Sequence, residues 1–127
     1  MTAMLLEATE AGVAGAGAHF HHQVLIDSAR VHSGLIASGD RFVSKAEDAA
    51  SVLADLQAAG FLPLAIEMEG AAVAQVCRDY GLPFAAVRTI SDRADDQAHV
   101  DFSAFVNQVA SPYALSIVSQ FIRLLSK

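Results

Sequence analysis

At 127 residues the chain has the size of one ordinary domain, large enough to bury a core but small for an α/β enzyme. A formal net charge of −6, with the eight Lys and Arg scattered rather than clustered, argues against a phosphate-tracking surface for nucleic acid and favours a small-molecule partner. Hydrophobic residues make up 54% and the mean hydropathy is +0.39, yet no apolar run approaches the roughly 18 to 20 residues of a membrane span, so no membrane association is expected. The apolar excess instead predicts a sheet covered on both faces, together with surface reserved for another subunit or segment.

Met1 to Ala18 is rich in Ala, Gly and Glu. Its first ten residues predict one or two helical turns, which the GVAGAGA stretch then loosens. Gly12, Gly15 and Gly17 do not make a phosphate loop, because no β-branched strand precedes them and no Gly-Lys-Ser/Thr follows. The first basic residue is Arg30, so neither a secretory signal nor a transit peptide is read at this end, and a cytoplasmic location is expected. His19, His21 and His22 lie in one short stretch with no Cys or acidic partner at ligand spacing, and no metal is assigned to them or to His32 and His99.

From Phe20 the pattern becomes extended: Val24 to Ile26 first, then Val31 and Leu35 to Ala37, closing in Ser38-Gly39-Asp40. Ser44-Lys45-Ala46-Glu47 reads as a capping box, and Val52, Leu53 and Leu56 follow at helical spacing, predicting a helix over 45–59. That helix stops at Gly60, and Pro63 precedes the apolar run Leu64 to Ile66. A second helix over 69–80 stops at Gly81, and Pro83 precedes Phe84 to Val87. Glycine accepts the left-handed helix terminus and proline bars continuation, so the repeated cadence predicts two successive βα units with right-handed crossovers. A last helix is expected from Asp101 as N-cap to Leu125, with a break or kink at Pro112. The lone Cys77, among Ala74, Val76 and Tyr80, is expected to be a buried structural residue.

Ligands of parallel α/β sheets collect outside the carboxyl ends of the strands. Three such exits carry polar groups: Ser38-Gly39-Asp40-Arg41-Phe42, Glu67-Met68-Glu69 and Ser91-Asp92-Arg93-Ala94-Asp95. Arg88 lies inside an apolar run, where its guanidinium requires a buried or cleft-side anion; Glu69 or Glu67 supplies it, or else Arg88 belongs to a structural ion pair while Asp92 caps a turn.

The stretches GLIASGDRF (34–42), AIEMEGAAVAQVC (65–77) and AVRTISDRADD (86–96) resemble, in order and spacing, the nucleoside phosphorylase and nucleosidase superfamily. The likeness is greatest to the bacterial 5′-methylthioadenosine/S-adenosylhomocysteine nucleosidases, and it covers about residues 31 to 125. The resemblance implies a three-layer αβα fold with a mostly parallel central sheet, here as a single partial domain over 1–127 that is incomplete at the amino end. It also implies hydrolysis of an N-glycosidic bond with release of adenine, no cofactor and a homodimer.

By the same resemblance Asp92 is the general acid at adenine N7 and Ser91 orients it, a positioned acid contributing about 10²- to 10⁴-fold. Glu69 holds the ribose hydroxyls, Met68 packs beside the sugar, and Arg88 pairs with the glutamate. Phe42 stacks on adenine, Val43 meets its Watson–Crick edge through backbone groups, and Phe102 lines the pocket wall. Glu67 is counted with the substrate-binding residues, its alternative being a cap on the helix that follows. Phe42 and Phe102 have the alternative of ordinary core aromatics. Family members are longer chains, whose amino half supplies the acid that activates water or the basic residues that bind phosphate; neither is matched here. Two alternatives to the nucleosidase therefore accompany it, a purine nucleoside phosphorylase and a catalytically silent adenine-nucleoside-binding or assembly module.

Overall fold

The computed structural model describes residues 1–17, 29–91 and 102–127. The elements in order are α1 (Thr2–Gly17), β1 (Leu35–Ser38), α2 (Ala46–Ala58), β2 (Pro63–Glu67), α3 (Gly70–Asp79), α4 (Phe102–Phe105), a π-helical stretch (Val106–Ala110) and α5 (Ser111–Leu125). They divide into two compact units. One holds Met1–Ser33, Val87–Thr89 and Asp101–Lys127; the other holds Gly34–Ala86 and Ile90–Val100.

In the first unit α1 packs against α5. Ala16, Val109, Tyr113 and Ile117 form the buried cluster, with Leu5, Val13 and Phe105 against it. The glycines of α1 do not loosen the helix, contrary to the expectation from sequence: α1 runs unbroken to Gly17. The reason is tertiary. A Cβ on Gly12 would lie 2.8 Å from the backbone of Ile117, so the crossing requires glycine there. Ser116 Oγ adds a hydrogen bond to the Gly12 carbonyl at 2.9 Å. A helical glycine costs about 0.5–1 kcal/mol relative to alanine, whereas burying an isoleucine side chain contributes about 1.5–3 kcal/mol. The packing term wins.

The helix predicted from Asp101 to Leu125 is continuous from Phe102 onward but not uniformly α-helical. The Ser111 N–H reaches back to the Val106 carbonyl, a five-residue step, and Pro112 follows at the start of α5. A proline ring clashes with the carbonyl four residues earlier and offers no N–H. The widened π turn accommodates both defects, so the break expected at Pro112 takes the form of a change of helix type.

In the second unit β1 and β2 pair in parallel, with α2 as the crossover between them. Leu35 lies opposite Pro63, but Ile36 lies opposite Ala65, so Leu64 is surplus in the ladder. Proline lacks the N–H a ladder uses, which explains irregular pairing at the strand's first residue. Gly34 leaves the room that the Leu64 side chain occupies.

Both helices of this unit end in the same way. Gly60 and Gly81 have φ of 85° and 65°. After α2, Phe61 N donates to Leu56 O and Gly60 N to Gln57 O; after α3, Leu82 N donates to Cys77 O and Gly81 N to Arg78 O. Each is a Schellman motif, which satisfies the carbonyls a helix end leaves free.

Three local expectations are corrected. The start of α2 is at Lys45 rather than at a Ser44 capping box, and no side chain caps it. Phe84 to Ile90 forms no strand: among the described residues the sheet has two strands, and this run is in neither. An apolar run becomes a strand only where a neighbouring strand takes its N–H and C=O groups. Cys77 is half-buried rather than buried, because α3 contributes no fully buried residue. The extended segment expected at Val24 to Ile26 lies outside the described residues, as do His19, His21, His22 and His99. Among the described residues no helix is long and apolar enough to cross a membrane.

Candidate functional site

The carboxyl ends of β1 and β2 coincide. Ser38 lies directly opposite Glu67, and Gly39 N donates to Glu67 O at 3.1 Å, carrying the ladder one residue past β1. Two of the three polar exits, Ser38 to Phe42 and Glu67 to Glu69, therefore leave from one edge of one sheet.

Helix α3 begins at that edge, and its free amides are taken up by the two strands. The Glu67 carboxylate accepts from Gly70 N at 2.9 and 2.8 Å, one to each oxygen, and from Glu69 N at 3.2 Å. Ser38 Oγ accepts from Ala71 N at 3.0 Å, a bond across 33 residues of sequence. A carboxylate is favoured at a helix amino terminus by the helix dipole and by these unpaired donors. Gly70 admits the close approach, since a Cβ there would lie 2.7 Å from the Glu67 carboxylate. Glu67 thus makes the capping contacts weighed from sequence as its alternative.

Glu69 occupies the N-cap position of α3, with φ −115° and ψ −27°, yet its side chain makes no capping hydrogen bond. It is exposed, as is Met68. Two glutamates separated by one residue hence differ in state: Glu67 is half-buried and committed to the helix, and Glu69 is open. On the neighbouring exit Phe42 is 73% exposed and Val43 half-buried. Arg41 lies 3.8 Å from Asp48 at the start of α2, both side chains largely in solvent.

The third exit is described only to Ser91, which is half-buried. Arg88 is exposed, as is expected where no ladder along 84–90 shields alternate residues of the run. Asp92, Asp95, Asp96 and the Phe102 side chain lie outside the described residues. Ser38 carried no role in the sequence analysis. The signal for it is a small hydroxyl residue closing an apolar run, which is visible in sequence, whereas its partner 33 residues on is not.

The family model described as the phosphorylase superfamily matches residues 3–123, reaching well into the amino-terminal segment that motif comparison leaves unmatched. Similar curated proteins include a 5′-methylthioadenosine/S-adenosylhomocysteine nucleosidase of Actinobacillus succinogenes, 46% identical over 78 residues, which is 61% of this chain and 32% of the relative. An aminodeoxyfutalosine nucleosidase of Helicobacter pylori is 42% identical over 81 residues, 64% of this chain and 33% of the relative. A 5′-methylthioadenosine/S-adenosylhomocysteine nucleosidase of an Exiguobacterium species is 35% identical over 94 residues, 74% of this chain and 39% of the relative. The chain thus spans about a third of the length of the curated relatives it matches. No solved structure is significantly similar to it. With a parallel βαβ unit at its centre and a family match over nearly its whole length, this chain is an α/β protein that belongs to the phosphorylase superfamily.

Proposed function

We propose that this chain carries the base- and ribose-facing part of a cytoplasmic nucleosidase, one partial domain that hydrolyses the N-glycosidic bond of 5′-methylthioadenosine or S-adenosylhomocysteine and releases adenine. The observation that carries the proposal is the open Glu69 at the common carboxyl edge of β1 and β2, with the exposed Phe42 on the segment that leaves β1 at the same edge. The nucleosidase names of the relatives support it.

In this reading Glu69 accepts hydrogen bonds from the ribose hydroxyls, and its fixed negative charge favours the sugar as it becomes oxocarbenium-like. Met68 packs beside the sugar, Glu67 belongs to the same sugar-facing exit, and Arg88 pairs with Glu69. Phe42 stacks on the adenine ring, Val43 meets its polar edge through the backbone, and Phe102 lines the wall. Asp92, oriented by Ser91, protonates N7 and converts the base into a good leaving group. This requires a carboxyl that holds a proton near neutral pH, through burial or a hydrogen bond to its neutral form. The apolar surplus is assigned to a homodimer interface, and a clean monomer in sedimentation would count against that part.

Adenine release from 5′-methylthioadenosine, assayed with the full chain with and without phosphate, tests the reaction. Phosphate-independent release, lowered about 10²- to 10⁴-fold by Asp92→Asn, is expected. Strict phosphate dependence would replace the hydrolase by a phosphorylase. Nucleoside binding with turnover no higher than that of Asp92→Asn would make the chain a silent binding module.

A further inference from the structure

An N-cap residue ordinarily spends its own side chain on the first amides of its helix. Glu69 does not. Of the amides such a side chain serves, that of Ala71 is already taken by Ser38 Oγ, and the Glu67 carboxylate holds the Glu69 and Gly70 N–H groups beside it. The two acceptors come from register partners on adjacent strands. We infer that Ser38 and Glu67 are positioning residues: by capping α3 from β1 and β2 they fix the Glu69 backbone and release the Glu69 carboxylate for the sugar hydroxyls.

Three features make this more than local tidiness. The Ser38 bond joins segments 33 residues apart, so it sets where α3 starts relative to the sheet rather than stabilising one turn. Gly39 N on Glu67 O locks the same two strands at the same level, so both caps stand on a fixed base. A Cβ on Gly70 would crowd the Glu67 carboxylate, which could turn away only by giving up its bonds to the Glu69 and Gly70 amides, so glycine at this position suits the capped geometry. Were Ser38 lost, Ala71 N would lack its acceptor, and the side chain of Glu69, at the N-cap position, would be drawn to take its place. The cost would fall on ribose recognition, while Phe42 and Val43, on the far side of Gly39, would keep their hold on the base.

The inference rests on the proposed ribose role of Glu69, and equilibrium binding to the full chain separates the two. The probes are 5′-methylthioadenosine, its 2′,3′-dideoxy analogue and adenine. Native chain is expected to prefer the ribose form, and Glu69→Gln to lose that preference. Ser38→Ala is expected to lower affinity for 5′-methylthioadenosine about tenfold, as one hydrogen bond to a charged group is worth. Its affinities for the dideoxy analogue and for adenine should stay within about twofold of native. Ser38→Thr, which keeps the oxygen, should restore the ribose preference, and amide exchange at Ala71 should be faster in Ser38→Ala alone. A Ser38→Ala chain with native ribose preference overturns the positioning role. Parallel loss of adenine and nucleoside binding overturns it too, because that is general structural damage. If Glu69→Gln keeps the ribose preference, the proposed function of Glu69 fails first and this inference falls with it.

Discussion

In the helical unit Ala8, Ala16, Val109, Tyr113 and Ile117 are buried, whereas in the βαβα unit no described residue is. Yet the second unit is rich in apolar side chains, and Leu35, Leu62, Leu64, Val76 and Leu82 stand largely in solvent. The contrast reflects how each kind of element satisfies itself. Two helices carry their own backbone hydrogen bonds and need only one shared seam. A parallel sheet needs cover on both faces. Among its described residues the second unit is therefore held by its hydrogen bonds, two Schellman endings and a doubly capped α3, with none of them fully buried.

Stability measurements can break this contrast. Ile117→Ala should have the largest effect, about 2–5 kcal/mol in denaturant unfolding, since it opens a cavity in the α1/α5 seam. A loss below about 1 kcal/mol would mean that the seam is not a core. Gly12→Val comes next, destabilising by about 1–3 kcal/mol, because the obstacle is the Ile117 backbone and not a side chain that can turn away. Leu64→Ala in β2 should cost less than about 1 kcal/mol, the side chain being 63% exposed. A large loss there would show that the sheet is covered in solution. Asp48→Ala should shift stability by no more than about 0.5 kcal/mol, as an exposed pair at 3.8 Å gains little, and added salt should erase the difference.

The same contrast explains what the sequence reveals. Helices α2 and α3 are legible because their periodicity, Gly60 and Gly81 are all local signals, and their observed bounds fall within a residue or two of expectation. Strands β1 and β2 are legible as apolar runs between turn residues. The run at 84–90 has the same composition but no ladder, and composition does not report a neighbour. α1 is under-read because the reason for its glycines lies on α5, about a hundred residues away. At the candidate site the motif glutamates announce themselves, but their division of labour does not. That Glu67 serves the helix and Glu69 stays open depends on distances at the start of α3. Ser38 is the clearest omission, its partner being an amide with no side-chain signature.

The π turn before α5 has a consequence for how this segment tolerates change in length. Arithmetically it is one surplus residue between two α-helical pieces. Deleting any one residue of 106–110 would remove that surplus and return the segment to ordinary α winding, because five π residues turn through about the angle of four α residues. Tyr113 and Ile117 would keep their alignment with Phe105. A single-codon loss here would thus be absorbed on the spot, where the same loss inside α5 would rotate everything after it by about 100°.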